Sequence, residues 1–309
     1  MKPYSIESHI MQKTAILHLI TAARNASPFD VNMAFDAGFD NIMPYTQVAL
    51  SDVAALTQDA IFSRSPSGLK REGIFIGGRD IDLAMDMLNA AAKAMFPPFQ
   101  ISLFADPSGA FTTAAAMVAK VEQHLRKQHG AGLAGCRVSV LGATGPVGGC
   151  AAIIAAHAGA EVSLVAHAAL ADVQNKAAAY QQRYAVNLHC VDGSSDAAKT
   201  AMLQHSDVLL CCAAAGIQVV SVAQMAASAG LKLVADVNAV PPTGAEGVDV
   251  MADGVPVAGT QVLGIGALAI GNLKYATQHQ LLKQMLSAET PQRLDFLSAF
   301  ETARAILAD

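Results

Sequence analysis

Gly142-Ala143-Thr144-Gly145-Pro146-Val147-Gly148 is the stretch of this chain whose residue types and spacing most directly imply chemistry. It follows an apolar run, Arg137–Leu141, and opens an alanine-rich helical pattern. In a strand–turn–helix setting each glycine has its own task. The first permits the tight turn, the second removes a side chain where backbone meets a pyrophosphate, and the third lets helix and strand pack closely. Pro146 suits the first helical turn, where its missing N–H costs nothing. The helix N-terminus then offers free N–H groups and partial positive charge to phosphate oxygens. All seven residues are therefore expected at the phosphates of NAD or NADP. An ordinary turn is the competing reading of the glycines alone. The Gly-x-x-Gly-x-x-Gly spacing often accompanies NADP.

The end of the next strand discriminates the two nucleotides. A carboxylate there binds the ribose hydroxyls of NAD, whereas a nearby arginine serves the 2′-phosphate of NADP. The chain has Val165-Ala166-His167-Ala168-Ala169, with neither. His167 could hydrogen-bond a ribose hydroxyl or, when protonated, a phosphate; use of both nucleotides is expected. Two further loops leave strand ends. Cys212-Ala213-Ala214-Ala215-Gly216 would let a cofactor lie against backbone. Asp236 and Asn238, before Pro241-Pro242, offer polar groups to the nucleotide, or brace their own turn through side-chain–backbone bonds. No Ser–His–acid constellation and no metal-ligand spacing is apparent, so no metal is expected.

These loops need strands to carry them. Short apolar runs alternate with longer helical patterns, the mark of an α/β chain with mostly parallel sheets. The spacing predicts strands over Thr14–Ile20, Asn41–Tyr45, Gly73–Ile76 and Phe99–Phe104. Helices are expected over Pro28–Asp36, Asp52–Ala60, Asp80–Ala94 and Phe111–Gln128. The glycine-rich stretch His129–Gly135 reads as a hinge. Beyond it come strands Arg137–Leu141, Glu161–Ala166, Asn187–Val191, Val208–Cys212 and Leu231–Val237, with helices between them. Ala267–Ser287 and Leu294–Leu307 read as helices. The expectation is two α/β lobes, residues 1–130 for substrate and a Rossmann-like parallel sheet over 131–264, with helices 265–309 returning to the first. A substrate cleft should lie between the lobes.

Composition excludes other classes. At 53% hydrophobic and 15% charged, the 309-residue chain can bury a large core. A net charge of −5 with no basic block gives nucleic acid or an anionic membrane nothing to hold. The five cysteines, odd in number and without Cys-x-x-Cys spacing, read as small buried hydrophobes in a reducing cytoplasm. Lys13 followed by Thr14–Ala22 imitates a signal peptide, but a first buried strand is the better reading. The nearly uncharged run Val138–Ala169 is long enough to span a bilayer, yet its glycines, Pro146 and Glu161 mark strand–turn–helix–strand instead.

Several segments carry a more specific resemblance. They are Ser27-Pro-Phe-Asp-Val-Asn32, Ile61-Phe-Ser-Arg64, Gly73-Ile-Phe-Ile-Gly-Gly78, Phe104–Thr113, Ala235–Pro242 and Gly264–Lys274. Together they make the chain resemble, over nearly its whole length, the bacterial NAD(P)-dependent methylene-tetrahydromethanopterin dehydrogenases of methylotrophic one-carbon metabolism. The resemblance implies oxidation of the methylene carrier to the methenyl carrier, with hydride passing to NAD(P). It also implies a pterin cleft between the lobes and a homo-oligomer, a trimer or hexamer. The NADP-dependent branch carries Gly-Arg-Lys where this chain has Ala166-His167-Ala168, which favours the branch accepting both nucleotides.

Loss of hydride leaves a cation delocalised over two nitrogens, so no base is required and positioning should dominate. Carboxylates facing that charge would help. Asp30, Asp106 and Asp236 are candidates, with helix capping or turn formation as their alternative. Lys274 matches a lysine of the family's active-site cleft. A full charge there would oppose the reaction, so it is expected to be paired with a carboxylate, partly neutral, or bound to a polar edge of the pterin. Thr112 and Thr113 could donate hydrogen bonds to pterin or nicotinamide, or merely cap their helix. Three other readings compete: the same reaction on methylene-tetrahydrofolate, a non-catalytic NADP sensor, and a dehydrogenase for a small hydroxy acid or shikimate-like substrate. The last usually needs an acid–base residue; no convincing His–Asp pair presents one, though a lysine could serve.

Overall fold

Alternation of buried strands with helices runs through the whole of the computed structural model, which describes residues 13–308. Residues 1–12 and 309, included in the first and last expected regions, lie outside the described residues. The first half comprises β1 (Ile16–Ile20), α1 (Pro28–Asp36), β2 (Asn41–Tyr45), α2 (Val53–Phe62), α3 (Pro66–Leu69), β3 (Glu72–Ile76), α4 (Ile81–Ala94), β4 (Ser102–Ala105) and α5 (Ala110–His129). The second begins with β5 (Arg137–Leu141), α6 (Pro146–His157), β6 (Glu161–Ala166), α7 (Leu170–Tyr184), β7 (Leu188–Asp192), α8 (Asp196–Leu203), β8 (Val208–Cys211), α9 (Val222–Ala226) and β9 (Leu233–Asp236). It ends with β10 (Asp253–Pro256), β11 (Leu263–Ile265), α10 (Ala267–Ser287), β12 (Arg293–Leu294) and α11 (Phe296–Ala308).

The strands form two sheets. The first has the order β12-β4-β3-β1-β2, and the second β10-β11-β9-β8-β5-β6-β7. All pairings are parallel except β10 with β11. Strands β3, β4, β8 and β9 are buried along their whole length, as parallel strands covered on both faces must be. Edge strands β2 and β7 are partly exposed. In each sheet the strand order reverses once at the centre, between β1 and β3 and between β5 and β8. Loops diverge at such points and leave a crevice beyond the carboxyl ends of the strands.

Helix α5 lies where the two halves meet. It packs against α6 and β9 on one side and against α10 and α11 on the other. Hence fourteen of its 20 residues are buried, including Lys120, Glu122 and His124. Their charges are answered locally: Lys120 and His124 reach Asp253 of β10 at 2.7 and 2.8 Å, and Arg304 of α11 holds Glu122 at 2.6 Å. One continuous apolar cluster runs from β1 through α5 to β5 and β6. The tail joins the first sheet, since β12 pairs with β4 and α10 packs on β3 and β4.

The sequence pattern overshot or missed some elements. The run expected from Phe99 becomes strand only at Ser102, because Phe99 turns back to pair with Phe96. Strands β10, β11 and β12 and the single-turn α3 are two to four residues long and carry no period to read. In the glycine-rich stretch, Gly130 closes α5 in a left-handed conformation (φ 65°), and Leu133 is buried.

Candidate active site

The crevice of the first sheet holds a cavity of about 500 Å³. Loops following β1, β3 and β4 line it, and α10 contributes Lys274. After β1, the chain enters α1 through Ser27, whose hydroxyl accepts from the Asp30 N–H at 3.4 Å, with Pro28 at the first helical position. This cap brings Phe29 and Asp30 to the cavity wall. After β4, Ser108 and Gly109 both adopt left-handed backbone (φ 52° and 66°), and the Ser108 hydroxyl donates to the Gly78 carbonyl at 2.7 Å. A non-glycine residue held in that region beside a cavity is strain of the kind concentrated at functional sites. A Cβ on Gly109 would lie 3.0 Å from Lys274 Cε and 3.2 Å from its Nζ, so the glycine makes room for the lysine.

Lys274 is held from two sides. Its Nζ donates to Gln278 Oε1 at 2.6 Å and sits 3.6 Å from the centre of the Phe29 ring. Gln278, fully buried, donates in turn to Asp30 Oδ1 at 3.0 Å. The amide thus stands between ammonium and carboxylate, and no carboxylate of the described residues forms an ion pair with Lys274. Burial lowers the lysine's pKa, opposed by the charges of Asp106 and Asp30. Burial pushes the Asp30 carboxyl up to about 6; the Asp106 charge adds to the rise, and Gln278 and Lys274 oppose it. Desolvation dominates both groups.

Asp106 does not reach the cavity surface. It is fully buried and accepts from Phe111 N (3.0 Å), Thr112 N (3.2 Å) and Thr112 Oγ1 (2.6 Å). Burial raises its pKa, against the Lys274 charge and these bonds from α5. The expectation that Asp106 and Thr112 touch substrate therefore gives way to the capping role: both side chains are spent on the first turn of α5. Thr113, half-buried in that turn, is not among the cavity's lining residues.

The second sheet presents the glycine loop at its own strand reversal. Gly142 has φ +77°, and a Cβ there would strike the Cys212 carbonyl. A Cβ on Gly148 would strike the Gly142 carbonyl. These two glycines are demanded by the protein's own packing. Gly145 differs: its Cβ would meet only Gly142 O, at 3.3 Å, and otherwise points into open space at the N-terminus of α6. Helix α6 has no side-chain cap, which leaves its first N–H groups free for a ligand. A dinucleotide pyrophosphate fits this cradle. Ala143 is buried beneath the turn, Thr144 and Pro146 line the adjoining pockets, and Val147 is the second residue of the helix.

Two pockets flank this loop. One of about 480 Å³ lies beyond β6 and is lined by Thr144, His167, Asp172 and Lys176 among others. A smaller one of about 240 Å³ sits between the lobes, bounded by Thr144, Gly145 and Pro146 on one side and by Arg79, Asp80 and Ile81 on the other. Arg79 also lines the first-sheet cavity, so the two sites are adjacent. Ala214 and Ala215 are exposed after β8. Asp236 and Asn238 are buried and engaged in bracing loops. Asp236 accepts from Asn238 N (2.9 Å) and Ala245 N (2.9 Å). Asn238 Oδ1 accepts from Gly216 N (3.3 Å) and Val240 N (2.9 Å), and Asn238 Nδ2 donates to Pro242 O (3.0 Å). They shape the loops rather than face a ligand with free polar atoms.

The sequence reading missed Arg79, Gln278 and Phe29. Arg79 follows Gly77-Gly78 at a strand end, a readable position for a ligand contact. Gln278 stands four residues after Lys274, the spacing at which helical side chains meet. Among the described residues no group of His, Cys, Asp and Glu could hold a metal ion, and no helix is long and apolar enough to cross a membrane.

A Rossmann-like sheet with a pyrophosphate cradle, set against a second sheet with a polar cavity, defines a dinucleotide-dependent dehydrogenase of two α/β lobes. Comparison with known proteins makes this specific. A family model described as "Methylene-tetrahydromethanopterin dehydrogenase, N-terminal" matches residues 28–108. The chain is 44% identical over 289 residues to the NAD(P)-dependent methylenetetrahydromethanopterin dehydrogenase of Methylorubrum extorquens, covering 94% of this chain and 97% of that one. It is 33% identical over 264 residues to the bifunctional protein MdtA of the same organism, covering 85% and 89%. The chain belongs to the methylene-tetrahydromethanopterin dehydrogenase family.

Two solved structures share the fold alone. Shikimate 5-dehydrogenase from Listeria monocytogenes has a TM-score of 0.52 at 13% identity, with 98% of this chain and 99% of that one covered. Ornithine carbamoyltransferase from Pyrococcus furiosus has a TM-score of 0.53 at 10% identity, with 90% and 86% covered.

Proposed function

We propose that this chain oxidises methylene-tetrahydromethanopterin to methenyl-tetrahydromethanopterin with NAD or NADP as hydride acceptor. The observation that carries this reading is 44% identity to a relative of that name over 94% of the chain. The adjacency of the polar cavity to the pyrophosphate cradle, through Arg79, supports it.

The one-carbon bridge loses a hydrogen with its electron pair, and the remaining charge spreads over the two neighbouring nitrogens. A dinucleotide whose pyrophosphate is held at the cradle would supply its nicotinamide as the hydride acceptor. The chain's own residues bind, orient and balance charge. Asp30, as carboxylate, faces the positive charge that develops in the cavity. Asp106 acts indirectly, holding the first turn of α5 beside the cavity. Gln278 keeps the Lys274 ammonium away from Asp30, and Lys274 binds a polar edge of the pterin by hydrogen bonding. Burial lowers the affinity of Lys274 for its proton, which reduces its opposition to the cationic product. No residue need accept a proton in this step.

The same reading places the chain in cytoplasmic one-carbon metabolism, at formaldehyde oxidation, as a homo-oligomer. An exposed aromatic pair supports assembly: Phe62 and Phe96 are 56% and 47% exposed, lie 6.0 Å apart between centroids and pack with Phe99 at 5.4 and 5.8 Å.

The test is initial rate of nicotinamide reduction by the purified protein with methylene-tetrahydromethanopterin, with methylene-tetrahydrofolate in parallel. Preferred turnover of the methanopterin carrier is expected. A preference for folate would keep the chemistry and change the substrate. No turnover on either would overturn the reading.

A further inference from the structure

We infer that Asp172 and Lys176 on α7 divide recognition of the two nucleotides, Asp172 taking the free ribose 2′-hydroxyl of NAD and Lys176 the 2′-phosphate of NADP. The inference rests on the proposed use of NAD(P) and extends it to residues remote from the strand end. In a Rossmann-like sheet the adenosine ribose lies beyond the second strand, here β6. That is where the 480 Å³ pocket opens, with Thr144 of the phosphate loop on one side and α7 on the other. The strand end itself offers Ala166, His167 and Ala168, and so neither the usual carboxylate nor the usual guanidinium.

Helix α7 supplies both charges. Asp172 and Lys176 are one turn apart and line the same pocket, yet they form no ion pair with each other. Asp172 is exposed in the first turn. Lys176 has two loose partners, the Tyr180 ring at 5.5 Å and Asp82 at 3.7 Å, and Arg183 approaches the same carboxylate at 3.3 Å. Its ammonium is therefore available to a phosphate. The N-terminus of this 15-residue helix has no side-chain cap. It adds partial positive charge beside His167.

Lys176 also borders the smaller pocket at Gly145 and Pro146, where a pyrophosphate would be common to both nucleotides. The N-terminus of α6 faces that group and Arg79 lines the same pocket, whereas Lys176 is, among the described residues, the one lysine or arginine lining the larger pocket. A single helix thus presents an acceptor for one nucleotide and a cation for the other, which accounts for dual use without an arginine at the strand end.

The test is equilibrium binding of NADH and NADPH to the purified full chain, followed by nicotinamide fluorescence, for wild type, Lys176→Gln, Lys176→Arg and Asp172→Asn. Lys176→Gln should weaken NADPH by roughly tenfold, with NADH moving less than about twofold. Lys176→Arg should retain NADPH binding. Asp172→Asn should weaken NADH and leave NADPH equal or tighter. NADPH affinity should also fall faster with ionic strength than NADH affinity, and lose that excess in Lys176→Gln. Equal loss of both nucleotides in Lys176→Gln would assign the lysine to the pyrophosphate and overturn the inference. Unchanged NADPH binding would overturn it too. Binding with these selectivities but no turnover of either one-carbon carrier would overturn the proposed reaction and leave this inference standing. A wild-type chain that binds neither nucleotide would overturn both.

Discussion

Asp30 sets a conflict between stability and function that can be read from its surroundings. The side chain is 4% exposed, its carboxyl titrates near 6 rather than 3.8, and burial is the main cause. The folded protein therefore holds this proton to higher pH than the unfolded chain does. Stability falls as pH rises from about 4 to about 6, and the full penalty stands above that window. Asp30→Asn keeps an oxygen for Gln278 and removes the charge. It should raise stability by about 1–3 kcal/mol at pH 7.5 and change it little at pH 4. The same variant should lose roughly tenfold to a hundredfold in kcat, and the rise of wild-type kcat/KM through pH 6 should disappear. Thermal unfolding at the two pH values, with rates across pH 5–8, checks both halves. The glycines make a similar distinction. Gly145→Val should fold with a Tm close to wild type and lose nucleotide binding by more than about a hundredfold, because its side chain presses only on the Gly142 carbonyl, at 3.3 Å, and otherwise enters ligand space. Gly148→Val should fail to fold normally, because the added atoms strike backbone. Circular dichroism with NADPH titration separates the two.

At the scale of elements, the chemistry depends on what each strand end launches. The left-handed pair Ser108-Gly109 turns β4 into α5 and leaves space for Lys274 of α10, a residue far removed in sequence. Gly109→Ala should cost about 1–2 kcal/mol for an L-residue at φ 66°. It should also lower kcat by displacing the lysine, while nucleotide Kd stays constant. Parallel melting curves and rates test this. Much of this level was legible in the residues. Apolar runs located β1, β2, β5 and β6, and the helical pattern from Pro28 located α1, because both periodicities are local properties. The glycine loop was legible for the same reason, since turn, approach and packing are written within seven residues. Gln278 and Arg79 were not, because their importance arises from meeting Asp30 and the phosphate loop across the fold. The capping role of Asp106 and Thr112 was one of two readings of the same residues. Only the burial and three donors supplied by α5 distinguish it from substrate contact.

For the molecule as a whole, the cluster of exposed Phe62 and Phe96 with half-buried Phe99 is the surface on which association can be tested. If a second copy covers it, Phe62→Ser with Phe96→Ser should shift the species seen by light scattering to a smaller mass, while the nucleotide cradle on the second sheet, which none of these residues lines, keeps its affinity. The position of α5 has a different consequence. This helix is the inner wall of both halves, and its buried Lys120, Glu122 and His124 find partners on β10 and α11. Each half is thus an unfinished object when taken alone, with an apolar scar where the shared wall belongs. The nucleotide half cannot be lent to another enzyme as a cassette, and evolution can change the substrate of this scaffold only by editing loops in place. A chain divided at Gly130 should yield fragments that recover solubility and nucleotide binding only when expressed together.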